Sequence, residues 1–457
     1  MSKFFSNGVI TLLSAGLIFI GGCGKTEPDN QTSGSQTQSD SHMLVVISPH
    51  NKNICYEFER AFVKHCKEQY GFDATVQWRD VGSGSSSILQ YLKNVYAHAD
   101  TAGIDVFFGG GEYPFQYLER EGLLETLDLS DEALANIPAT FCGMEMYSKE
   151  HKWCGNVLSS FGFLYNKQLL QEINVQPPTQ WEDLGKPEYF DLSIQGDPTQ
   201  SGSTAAAFEM IVQSAPDWQS GWEKLLSILS NAKKFTASSG DAANAPVLGE
   251  AVVSVCIDFY GTMRVSEAPD KLGYISPAGQ TGYTPDPVGI LKNPPNMDMA
   301  QKYVDFLLST KGQCIWALRP GHPDGPEKYL LNRTPISKAF FEKYDADTPE
   351  WISRPYSSDK VMNVDMELRS VRYGVLAEIV RAAAIDNLKL MKQAKKKLID
   401  EGNPEKLTEI FYKLPENIDT VEEIYTIAEQ LKDTAQAEII VTDWTNFFRD
   451  QYKQVIE

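Results

Sequence analysis

The run MLVVIS (Met43–Ser48) carries no charge and is dominated by branched apolar residues, which suits a short strand buried on both faces. It leads into an amphipathic helical pattern over Ile54–Gln69, a strand-like Ala74–Trp78 and, after a Gly/Ser turn, a helix over Ser85–Tyr96. Ile104–Phe108 is a second buried-strand run, and Gly109, Gly110 and Gly111 break the chain before another helix. Strands alternating with helices in this way predict an α/β architecture with a largely parallel sheet. A second alternating set runs from Asn156 to about Pro285, with Val157–Tyr165 as one strand, a helix after Gly202, helices over Trp218–Leu229 and near Ala242–Leu248, and the strand Ala251–Ile257. Val288–Leu291 and helices over Met297–Leu308 and Gly312–Leu318 follow. From about Val364 long helical patterns such as Leu368–Leu398 and Val421–Leu431 replace strands. The pattern therefore divides into a first lobe over 43–155, a second lobe over 156–287, a return to the first lobe over 288–363 and a helical extension over 364–457. There is no internal repeat, which excludes solenoids and propellers.

The chain has 457 residues, and at roughly 150 residues per domain that is enough for two or three cores. Lys and Arg total 41 against 61 Asp and Glu, a net charge of −20 with no basic block, so binding along nucleic-acid phosphates is excluded. A hydrophobic fraction of 42% with 22% charged residues excludes wholesale disorder.

Residues 1–22 read as an export signal: Lys3 supplies a positive start, Val9–Ile20 an apolar core, and Gly21 and Gly22 the small residues a peptidase needs. Ile20–Cys23 resembles the bacterial lipobox, in which the cysteine is acylated, so Cys23 is the expected lipidation site. An ordinary signal peptide or a single membrane anchor is the plain alternative. Residues 23–42 hold no bulky apolar side chain and are expected to form a flexible tether between a lipid-anchored Cys23 and the folded body, at the cell envelope. Export permits disulfides among Cys55, Cys66, Cys142, Cys154, Cys256 and Cys314. Cys55 and Cys66 lie about 16 Å apart on one predicted helix and cannot pair; Cys142 with Cys154, closing a short loop, is the expected bond.

Several segments fall at strand ends, where open α/β sheets hold ligands. His50 follows the first strand, where it is suited to ligate a metal or to donate to an anion, or is a loop histidine with no role. Gly84, Ser85 and Ser86 open a helix, and Ser201, Gly202, Ser203 and Thr204 open another in the second lobe. Hydroxyls and unpaired N–H groups at a helix start suit a carboxylate or phosphate, though plain N-capping has the same signature. Gly110 and Gly111 let backbone approach a ligand, and Glu112 beside them suits a cation. Asp258 and Tyr260 close the Ala251–Ile257 strand with a carboxylate and a phenol. Nucleotide-binding glycine patterns, a GxSxG elbow and an HExxH pair are all absent from these positions, so no enzyme motif stands out.

Taken in order, LVVISPH…FERAF (Leu44–Phe62), GIDVFFGGGEYPFQYLEREGLLETL (Gly103–Leu127), FLYNKQLL…PPTQWEDL (Phe163–Leu184), GDPTQSGST (Gly196–Thr204), GDAANAPVLGEAVVSVCIDFYG (Gly240–Gly261) and NPPNMDMAQKYVDFLLSTKGQ (Asn293–Gln313) resemble the extracellular solute-binding proteins of bacterial ABC importers. The nearest branch is the iron(III)-binding one of the type II periplasmic-binding-protein fold. The likeness covers roughly residues 44–340 and stops short of 364–457. It implies two lobes closing over a solute, recognition by an importer's permease and ATPase subunits, a monomer, and no cofactor beyond a transported ferric ion. It also implies a ferric ligand set of His50, Glu112, Asp258 and Tyr260. The family's tyrosine pair is Phe259-Tyr260 here, so one phenolate is missing, and Asp258 is the substitute hard oxygen. Relatives of the fold bind phosphonates and phosphorylated organic acids, and the Ser/Gly helix starts suit that class equally; sugars and polyamines are further options. Two readings of other classes are an exported hydrolase on the same lobes and an interaction protein whose helical tail leaves an apolar stripe exposed.

Overall fold

The computed structural model describes residues 42–81, 84–357 and 361–457. The signal segment, the tether and Cys23 lie outside the described residues, as do Gly82 and Ser83 of the Gly/Ser turn.

The strands β1 (Met43–Ile47), β2 (Thr75–Arg79) and β3 (Val106–Phe108) open the chain, with β1 pairing in parallel to both others. A hairpin of β4 (Thr140–Phe141) and β5 (Met144–Glu145) precedes β6 (Cys154–Ser159) and β7 (Phe161–Asn166). These last two are one run in sequence but belong to different sheets, separated by Ser160. The strands β8 (Ser193–Gly196), β9 (Ala232–Thr236), β10 (Val253–Ile257) and β11 (Leu272–Ile275) follow, then β12 (Thr284–Ile290) and the short β13 (Thr334–Pro335). The first lobe's sheet has the order β13-β6-β12-β3-β1-β2, and the second lobe's sheet β11-β7-β10-β8-β9. The chain thus leaves the first lobe at Ser160 and returns through 276–283, so the second lobe spans 161–283 rather than 156–287.

The sheets are more mixed than the alternation predicts. The pairings of β12 with β3 and β6, of β13 with β6, and of β7 with β10 and β11 are antiparallel. A strand that crosses from the other lobe enters its new sheet from the opposite end, and no helical crossover is then needed to reverse it.

Local sequence explains the elements. The helix Lys52–Tyr70 starts at Asn51, whose side chain accepts from the N–H groups of Asn53 and Ile54, and stops at Gly71 in the left-handed region (φ 78). It buries Ile54, Phe58, Phe62 and Cys66, one residue per turn, with Phe58 4.4 Å from Trp316 and Phe62 4.9 Å from Tyr303 between ring centroids.

The extension is packed, not splayed. The predicted Leu368–Leu398 helix is two, Met366–Val380 and Leu388–Asp400, separated by a π-helical segment at Arg381–Ile385. With Glu405–Tyr412, Val421–Gln430 and Thr434–Ile456, these helices lie on the second lobe's helices Gly202–Gln213 and Trp218–Ser230. Trp218 Nε1 donates to the Ile418 carbonyl (2.8 Å), the Trp222 and Phe448 rings stand 5.8 Å apart, and Phe411, Trp444 and Tyr452 are buried beside them. Among its exposed large apolar residues, Val421 and Tyr425 sit one turn apart on the helix Val421–Gln430, while Tyr373 and Ile439 lie on other helices, so no stripe longer than one turn is formed.

The expected Cys142–Cys154 bond is not formed; all six described cysteines are free thiols. Cys142 turns the β4–β5 hairpin (φ 55), while Cys154 opens β6 with its thiol on the Gly155 carbonyl (3.4 Å). Each thiol is packed into the core, and burial pushes that of Cys142 up to about 11.

Candidate functional site

Strand ends of the first lobe bring His50, Ser85 and the triple glycine together. A side-chain Cβ at Gly110 would lie 3.0 Å from Ser85 Cβ and 3.3 Å from Pro49, and one at Gly109 only 2.2 Å from the His50 ring. All three glycines have positive φ (81, 114 and 78), so the loop is open to no other residue without strain. Its N–H groups point at a protein side chain: Gly110 N and Gly111 N donate to Asp286 Oδ1 on β12 at 2.7 and 3.0 Å.

Asp286 is the centre of the arrangement. Its Oδ2 accepts from His50 Nε2 (3.1 Å) and from Arg333 Nη2 (2.9 Å), and Arg333 also donates to Ser159 Oγ (3.0 Å). Burial opposes ionisation of Asp286, but the His50 bond, the Arg333 charge and the loop N–H groups outweigh it and hold its carboxyl far below the usual range. Burial lowers His50 in turn, more than Asp286 raises it, so the imidazole is neutral at pH 7 with its proton on Nε2. Its ring packs edge-on against Phe108 (4.6 Å) and Trp316 (5.7 Å).

The Arg333 guanidinium lies 4.6 Å over Phe259, and its charge reaches Asp258 and Tyr260. Thus Arg333 stands between His50 of one lobe and Tyr260 of the other. Asp258 pins the crossing: its Oδ2 accepts from Ser160 N (2.9 Å) and Ser160 Oγ (3.3 Å), and its Oδ1 from Phe259 N (2.8 Å). Burial pushes its carboxyl up to about 6, against the opposing pull of Arg333 and these donors.

In the second lobe Ser201 caps the helix Gly202–Gln213, accepting from Thr204 N (3.3 Å) and Thr204 Oγ1 (3.0 Å), with Ser203 Oγ at 3.3 Å. The same Ser201 Oγ accepts from Ser239 N (3.3 Å), so the start of the helix Ser239–Leu248 meets it there. Ser239 Oγ is buried without a partner among the described residues, and Tyr260 lies against Gly240 in the next position.

The extension reaches both lobes. Arg369 pairs with Glu112 Oε1 (2.5 Å) at the start of the first lobe's helix Glu112–Arg120, and Tyr373, one turn on, donates to the Gly202 carbonyl (3.4 Å) at the start of the second lobe's helix. Arg372 on the same helix is buried against Glu209 Oε1, and Asp365 exchanges hydrogen bonds with Gln213.

The sequence-proposed residues therefore fall into three places. His50, Gly84, Ser85, Ser86, Gly110, Gly111 and Glu112 line the first lobe's loops, Ser201, Gly202, Ser203 and Thr204 a second-lobe helix start, and Asp258 and Tyr260 the crossing. The ferric set is not gathered: His50 is bonded to Asp286, Glu112 to Arg369, and Asp258 to Ser160. Among the described residues no three His, Cys, Asp or Glu side chains form a metal-binding group. Asp286, Arg333, Arg369 and Ser239 were illegible in sequence. An acid flanked by prolines in a buried strand (Thr284–Ile290) is the one signal that marks any of them.

Several known proteins are similar to this chain in sequence or in fold. A Salmonella typhimurium protein, the phosphoglycerate transport regulatory protein PgtC, is 26% identical over 243 residues, 53% of this chain and 57% of its own length, so the chain spans little more than half of that relative. The periplasmic binding protein AfuA of Actinobacillus pleuropneumoniae, solved with exogenous fructose-6-phosphate bound, superposes with TM-score 0.56 at 21% identity, over 79% of this chain and 98% of its own. The apo ferric ion-binding protein A of Pasteurella haemolytica gives 0.55 at 15% identity, over 74% and 96%. The sequence profile of the bacterial extracellular solute-binding proteins matches residues 100–343, more than half of the chain and most of both lobes, and the protein belongs to that family.

Proposed function

We propose that this chain is the capture component of an ABC importer and that its solute is a phosphorylated organic acid or a similar small oxyanion. The observation that carries this reading is the meeting of two helix starts, Glu112–Arg120 from one lobe and Gly202–Gln213 from the other, over adjacent turns of the helix that bears Arg369. Helix starts and a guanidinium are donors and positive ends, which suit an anion. A ferric ion needs several anionic oxygens, and the carboxylates proposed for it are each engaged by a cation or by backbone donors. The phosphoglycerate in one relative's name and the sugar phosphate in another's structure belong to the same chemical class.

Thermal-shift titration with 3-phosphoglycerate, fructose 6-phosphate, inorganic phosphate, ferric citrate and spermidine tests it. A ligand at one hundred times its Kd stabilises by about 2.7 kcal/mol, read as a rise in Tm. The phosphorylated probes are expected to raise Tm; a rise with ferric citrate or spermidine alone overturns the reading, and a probe consumed instead of bound returns the hydrolase. Acylation of Cys23 tethers this capture component to the membrane, so Cys23→Ala is expected to release it from the membrane fraction and to abolish palmitate labelling.

A further inference from the structure

Three buried guanidinium groups face carboxylates in this protein, and they are not equally satisfied. Arg372 places both Nε and Nη2 on Glu209, and Arg333 places Nη2 on Ser159 and on Asp286, which it shares with His50 and two loop N–H groups, while its Nε is buried without a partner among the described residues. Arg369 is 8% exposed, and its one oxygen partner among the described residues is Glu112 Oε1; its other neighbours are the Met144 and Met366 sulfurs at 3.6 and 3.8 Å. Thioethers are weak acceptors, so most of the five donors of this guanidinium carry no strong bond. Glu112 is equally buried, 9% exposed, and its carboxylate sits at its own helix's positive end. One turn along, Tyr373 touches Gly202, where the second lobe's helix starts converge and Ser239 Oγ lacks a partner.

We infer that Arg369, on a helix outside the family profile, is the principal cation for the solute's anionic group, and that Glu112 occupies its place until solute arrives. This rests on the oxyanion reading above and sharpens it. The carboxylate of Glu112 is a single-oxygen stand-in: a phosphate monoester presents three oxygens to the same planar fork and gains the two helix starts besides. Displaced, Glu112 stays at its helix's start, where the dipole favours its charge. The extension thus supplies a third wall to a cleft that two lobes alone leave without this cation, and Arg372 with Glu209 holds that wall on the second lobe. The alternative for the same geometry is a clasp, in which Arg369 and Glu112 merely hold the lobes together around any solute.

The two differ in sign. If solute replaces Glu112, Arg369→Gln weakens binding of 3-phosphoglycerate or fructose 6-phosphate by at least about tenfold, Arg369→Lys by less, and Glu112→Gln tightens it several-fold. A clasp makes Arg369→Gln and Glu112→Gln change affinity in the same direction. Isothermal titration of the full chain and these three variants reads the outcome, with circular dichroism confirming the folded state. Opposite signs support the inference, and tightening by Glu112→Gln cannot arise from misfolding. Same-direction changes, or an Arg369→Gln affinity within twofold of wild type, overturn it while leaving the oxyanion reading standing. A wild-type chain that binds neither probe overturns both.

Discussion

Arg333, at the strands that cross between the lobes, and Arg369, at the helix that leans on them from the extension, are both buried and both face an acid. The first belongs to a lattice in which Asp286 receives four donors, His50, Gly110, Gly111 and Arg333, and the guanidinium, its Nε buried without a partner among the described residues, is packed on Phe259 and Trp316. The second has one carboxylate oxygen and two sulfurs. A charge held from several sides is part of the frame, because removing any partner strands the rest in a low dielectric. A charge held from one side can change partners at little cost. That contrast separates residues that build the cleft from residues free to engage what enters it.

The contrast breaks most visibly at Asp286. Asp286→Asn leaves Arg333 buried without its counter-charge and is expected to destabilise the protein by about 3–5 kcal/mol, measured by urea denaturation. A loss below about 1 kcal/mol would show that Arg333 is as exchangeable as Arg369. Gly109→Ala attacks the same lattice from the loop: its Cβ would meet the His50 ring at 2.2 Å, and the position has φ 81, so a loss of about 2–4 kcal/mol is expected.

Asp258 gives a pH signature at the crossing. Its carboxyl sits at about 6 when folded against an ordinary 3.8, so the folded protein binds this proton more tightly. Its contribution is complete below the ordinary value and disappears as pH rises through about 6, worth about 2 kcal/mol over that window. His50, lowered by burial, works oppositely below its ordinary 6.5. The difference in denaturation free energy between wild type and Asp258→Asn, followed from pH 4 to 7.5, isolates the Asp258 part. A flat difference would remove Asp258 as a buried pin. The smallest effect belongs to the extension's outer contact. Tyr373→Phe loses a 3.4 Å hydrogen bond from an exposed tyrosine and is expected to change stability by less than about 0.5 kcal/mol.

Much of the architecture was readable because it is local. The strand MLVVIS, the helix over Ser85–Tyr96 and the helix over Met297–Leu308 announce themselves through apolar spacing and caps, and all three stand in the structure within a residue of where that spacing puts them. The strand-end loops were readable in position, but not their partners. His50 and the triple glycine do meet at a strand end, yet what they meet is Asp286, 236 residues from His50 along the chain. Glu112 does sit at a helix start, yet its partner is Arg369, outside the residues the family profile matches.

Periodicity and turn chemistry report on neighbours a few residues apart, so the order of elements, the two-lobed plan and the loops at strand ends follow from the amino acids in line. Which sheet receives each half of Val157–Tyr165, which acid takes which guanidinium, and whether two cysteines touch depend on packing between segments hundreds of residues apart. A buried charge is settled by whatever opposite charge the completed fold brings within reach, and that is a property of three dimensions.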